Sequence, residues 1–140
     1  VALERVPFAA VADLDAACFP AERTDFLRLW ITAPGHHARG LLRDGRLAGI
    51  AVARPCRVGH KIGPLFAEDR AAAETLFDAV AAAAGGGPVF LDVPEPNAAA
   101  VALAESRGLA PAFETARMYT GPVRPVALER VFGITSFELG

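Results

Sequence analysis

With 140 residues, 53% of them hydrophobic and 21% charged, the chain is long enough to bury a core and too apolar to stay disordered. A net charge of -2 gives no general attraction to phosphate backbones or anionic lipids, so neither nucleic acid nor membrane is an expected partner. No apolar run approaches the roughly 18 residues of a membrane span, and no signal-peptide pattern precedes the first element, so a cytoplasmic location is expected.

The first third reads as helical. Val11, Leu14 and Ala17 recur at helical spacing until Phe19-Pro20 ends the run. A second short helix over 23–31 puts Phe26, Leu27 and Trp30 on one face, and Ala33-Pro34-Gly35 stops it. The period then changes to that of strands. Runs at 37–43 and 46–54 flank Asp44-Gly45, the strongest short hairpin signal. A third strand over 60–66 contains Gly63-Pro64, which demands a local break or a bulge because proline has no ladder N–H.

Asp69 is placed to cap a helix running to about 84, with Ala73, Leu76, Phe77 and Val80 on its inward face. Gly85-Gly86-Gly87 ends it. The apolar run at 88–93 reads as a strand buried on both faces. Asn97 caps a further helix through 106 or 107, with Gly108 as its stop. The stretches 109–119 and 131–139 read as two final strands, expected to form an antiparallel pair. The strand–helix–strand unit from 60 to 93 requires a right-handed crossover, which makes those two strands parallel. The expected architecture is a mixed α/β sheet, mostly antiparallel, with helices on both faces.

Cys18 and Cys56 form no metal spacing and read as two buried, reduced thiols, with a disulfide as the alternative. His36, His37 and His60 lack zinc-site spacing, so no metal is expected. The chain reads as one domain over 1–140. Its start at Val1 rather than Met points to a trimmed chain or a piece of a longer one.

Two segments carry a family resemblance: Ile62-Gly63-Pro64-Leu65-Phe66-Ala67-Glu68-Asp69 with Ala73 and Leu76, and Asn97-Ala98-Ala99-Ala100 through Gly108-Leu109. With the element order, they resemble the GNAT superfamily of N-acetyltransferases over roughly 37–139. The runs GPLFAED, LDVPEPN, ARMYTG and FGITSFELG narrow this to the C-terminal GNAT-like domain of tandem or variant proteins. The resemblance implies acetyl-CoA as co-substrate and a splayed parallel strand pair that holds its pantetheine arm. In that picture Leu65, Phe66 and Ala67 offer main-chain contacts, Asn97 reaches the arm, and Arg70, Ala71 and Ala72 open the helix that faces the diphosphate.

A helix N-terminus suits a pyrophosphate on physical grounds alone. The glycines of the family's loop are absent here, however, and the alternative is that Asp69 merely caps the helix while Arg70 is solvated. Asn97 is equally explained as an N-cap. The tyrosine that many members place in the following helix corresponds to Ala104. His60 and Glu68 are the candidate bases and Tyr119 the substitute acid, each with a structural alternative. Asp92 needs a partner if buried, and Arg117 is the expected one. Two functions follow. One is an acetyl-CoA-dependent N-acetyltransferase acting on a small amine or an amino-terminal group. The other is a catalytically silent GNAT-like domain, the structural or substrate-binding half of a tandem protein, paired with a second GNAT domain or a second copy of itself.

Overall fold

A computed structural model describes residues 1–139; Gly140, the last residue of the FGITSFELG run, lies outside them. Two helices, α1 (Phe8–Cys18) and α2 (Thr24–Thr32), precede the hairpin of β1 (His37–Arg43) and β2 (Arg46–Pro55). At its tip Asp44 and Gly45 both have positive φ, 51° and 76°, the backbone twist that a two-residue hairpin needs. Strand β3 (His60–Ala67) runs antiparallel to β2. Ala51 faces Leu65 and Ala53 faces Ile62, so Gly63 and Pro64 together oppose the single residue Val52. The expected bulge is therefore present, and Pro64 sits where its missing N–H breaks no ladder bond.

Helix α3 (Arg70–Ala83) follows, with the Asp69 carboxylate accepting from the Ala72 N–H. Strand β4 (Val89–Leu91) lies parallel to β3, as the crossover rule requires. Helix α4 (Ala98–Ser106) starts at an Asn97 cap. The last strand, β5 (Val131–Gly133), pairs antiparallel with β3. Side-chain alternation splits the core into two layers. Ile50, Val52, Phe66 and Val131 pack with Val11, Leu14 and Leu27 of α1 and α2. Ala51, Leu65 and Phe132 pack with Leu76, Phe77 and Val80 of α3 and with Leu103 of α4. Helices thus cover both faces of a mixed, mostly antiparallel sheet.

Three expectations need correction. The 88–93 run is not buried on both faces: only three residues pair, and Phe90 is 43% exposed. Residues 109–119 form no strand, and of 131–139 only the first three residues do. The two final strands therefore do not pair with each other; β5 instead returns to the middle of the sheet and joins β3. Of the cysteines, Cys18 is buried while Cys56 is half-buried, and both are free thiols. No helix among the described residues is long and apolar enough to cross a membrane.

Candidate functional site

Strands β3 and β4 pair only at His60, Lys61 and Ile62, opposite Val89, Phe90 and Leu91. Beyond that point β4 ends while β3 continues, and a V opens at Gly63. The chain itself fills the V. Gly133 lies opposite Leu65 and Val131 opposite Phe66, so β5 occupies the edge of β3 that the divergence frees. The next residue ties the insert to the other wall, where Ile134 N–H donates to the Asp92 carbonyl at 3.0 Å.

Several contacts hold this insert. Asn97 is buried, and its side-chain NH2 donates to the carbonyls of Leu128 (3.1 Å), Glu129 (3.3 Å) and Val131 (2.9 Å), while its oxygen accepts from Ala100 N–H. Arg23, just before α2, makes a two-point pair with Asp15 at 2.8 and 2.7 Å and donates to the buried Thr135 hydroxyl at 2.9 Å. The guanidinium lies 3.7 Å from the centre of the Phe19 ring. Gly63 has to be glycine, because a Cβ there would collide with the carbonyl oxygens of Ile134 and Thr135. The Gly63 carbonyl itself accepts from the Trp30 indole N–H at 3.0 Å.

The mouth of α3 is a cluster of paired charges. Asp69 accepts from Ala72 N–H at 2.8 Å, and Arg43 binds both Asp69 (2.6 Å) and Glu68. The Arg43 hydrogen bond first, and the Ala72 N–H second, hold the Asp69 carboxyl below its ordinary value. Arg70 turns along the helix to Glu74 at 2.8 Å. Ala71 is exposed and Ala72 buried, and Ala67 pairs with Gly49 on the β2 side.

The candidate acid and bases stand apart. His60 lies at the closed end of the V, its ring centre 5.8 Å from that of His37, with Nδ1 buried and unpartnered. Glu68 follows the other end of β3, roughly 25 Å along the strand. Tyr119 is exposed on the segment between α4 and β5. Asp92 is paired, but with Lys61 at 2.6 Å rather than with Arg117, which is exposed. Parallel pairing sets Lys61 beside β4, a neighbour that local sequence does not reveal. The Arg23–Asp15–Thr135 link was likewise invisible, because Thr135 arrives from the far end of the chain.

A family profile described as the acetyltransferase (GNAT) domain matches residues 11–133. The chain belongs to the GNAT acetyltransferase family. Holothin acyltransferase from Pseudoalteromonas sp. (strain SANK 73390) is 28% identical over 119 residues, which cover 84% of this chain and 40% of that protein. A crystal structure from Pyrococcus horikoshii, of a protein named as an acetyltransferase by inference, matches with a TM-score of 0.71 at 20% identity; this likeness concerns the fold. It covers 100% of this chain and 45% of that one. The GNAT domain therefore spans less than half the length of either relative.

The residues of this GNAT domain do not fit acyl-CoA held in the manner the resemblance implies. The main-chain edge at Leu65 and Phe66 is satisfied by β5. The bulge residue Pro64 has no N–H to offer a carbonyl oxygen. At the mouth of α3 the carboxylates of Glu68 and Asp69 already hold Arg43, and Asp69 already holds the N–H of Ala72, so neither that cation nor that amide is open to a diphosphate. Asn97 is committed to the insert.

Proposed function

We propose that this GNAT domain is the non-catalytic half of a larger acyltransferase, contributing structure to acyl transfer rather than an acyl-CoA site of its own. The observation that carries the reading is the pairing of β5 with the freed edge of β3, locked by Asn97. The greater length of both relatives supports it, since each has more than half of its chain outside the match.

The competing reading, a catalytic acetyl-CoA-dependent N-acetyltransferase for a small amine or amino terminus, is favoured by the divergence of β3 and β4 at Gly63. It requires the insert to leave. Exposing the buried side chains of Val131 and Phe132 costs about 3–6 kcal/mol, which weakens apparent affinity by roughly 150- to 25,000-fold. Calorimetric titration of the 140-residue chain with acetyl-CoA separates the two readings. The expected result is no saturable heat up to about 1 mM ligand, and no acetylated product from a panel of amines. Saturable binding in the micromolar range, or turnover, would overturn the proposal.

A further inference from the structure

Between α4 and β5, every residue from 110 to 125 is exposed, and none joins the sheet. The ends of this segment are fixed. Leu109 N–H donates to the Ala104 carbonyl at 3.0 Å, and Ala127 N–H to the Ala17 carbonyl at 2.8 Å. Between them, among the described residues, no backbone N–H from 110 to 126 donates to another backbone group. The segment also presents Phe113, Met118, Tyr119 and Val123, with Met118 at 87% exposure. Phe113 touches one aromatic neighbour, Phe137, at 5.3 Å between ring centres. The other large apolar residues exposed among the described ones, Val1, Leu29, Leu42, Val58, Phe90 and Leu139, are far apart in sequence.

The chemistry of this stretch is that of a strand without a partner. Pro111 and Pro122 bracket residues 112–121, which contain no proline and are rich in strand formers such as Phe113, Thr115 and Tyr119. Unpaired N–H and C=O groups with alternating side chains are what an open sheet edge accepts. The bracketed stretch carries one acid, Glu114, and one base, Arg117, so it has no bias towards a polyanion. The chain accounts for 40% and 45% of the two longer proteins it matches, so in those relatives more than half of the polypeptide is available to cover such a segment.

We propose that residues 112–121 add as a strand to the sheet edge of an adjoining GNAT-fold domain in the same polypeptide. This rests on the reading of the chain as one half of a larger acyltransferase and says where the halves are joined. The test is hydrogen–deuterium exchange, followed by mass spectrometry, on the 140-residue chain and on the full-length gene product that contains it. Amides of 112–121 should exchange at unprotected rates in the chain alone and at least about 100-fold more slowly in the full-length protein. Arg117→Pro removes an N–H from the middle of the stretch. It should leave the thermal midpoint of the chain alone unchanged and abolish the protection in the full-length protein.

Equal, fast exchange in both proteins would overturn the proposal, as would a gene product with no further domain. Protection in the chain alone, with a dimer mass by light scattering, would overturn it in favour of a second copy as the occupant. The acetyl-CoA titration reads only the filled groove. Protected amides together with tight acetyl-CoA binding would therefore sink the functional reading and leave the docking strand standing.

Discussion

Asn97 gives the account its most exposed point, because a cofactor ligand and a structural clamp respond differently to its removal. Its oxygen caps α4 and its NH2 group serves three carbonyls of the returning segment. Loss of an N-cap costs about 1 kcal/mol. The two N–H donors contribute about 1–3 kcal/mol more, at 0.5–1.5 kcal/mol for each hydrogen bond. Asn97→Ala should therefore destabilise the chain by about 2–4 kcal/mol, lowering the thermal midpoint by roughly 5–15 °C for a domain of this size. Asn97→Ser keeps a good cap and loses only the donors, so it isolates the clamp at about 1–3 kcal/mol. Urea unfolding at 25 °C with a common slope measures both. If Asn97→Ser stays within about 0.5 kcal/mol of wild type, the amide does not hold the insert and the reasoning fails.

Two further outcomes follow from the titrating groups. Asp69 has a depressed folded-state pKa, so its charge stabilises the folded chain above the ordinary value of 3.8, and that contribution is lost as pH falls through the lower folded value. Asp69→Asn should therefore unfold at lower urea than wild type at pH 7, and the gap, small because the pair is half-exposed, should close under strongly acidic conditions; a gap independent of pH would contradict the assignment. Burial pushes the Cys18 thiol up to about 12, while Cys56 is half-buried. Ellman's reagent at pH 8 should therefore modify only Cys56 rapidly in the folded chain and both thiols in urea, and two fast thiols in the folded chain would contradict the packing of α1.

Elements whose determinants are local were legible in the sequence. The Asp44-Gly45 turn, the Asp69 and Asn97 caps and the inward face of α3 all depend on residues within one or two turns of each other, and all are present. The bulge was legible too, because proline carries its constraint with it. What failed was pairing. Residues 109–119 have the composition of a strand, but a strand exists only where an edge receives it, and none among the described residues does. Conversely, the sequence marks a strand at 131–139, but not that its partner lies more than sixty residues earlier. The same blindness hid the site. Leu65, Phe66 and Ala67 read as main-chain contacts for a cofactor arm, and no local pattern showed that residues from the end of the chain pair with Leu65 and Phe66. Asp92 found Lys61 across a parallel pair, where sequence proximity gave no hint.

The central claim is that the chain's own β5, and not a cofactor, satisfies the edge of β3. It is tested most directly by following the backbone amides of Leu65, Phe66 and Gly133 by nitrogen–proton NMR while acetyl-CoA is added to about 1 mM. The account predicts that these three amides keep their shifts throughout and stay protected from exchange. Saturable shifts at all three, with Gly133 losing its protection, would mean that the insert yields to the cofactor, and the account would be wrong.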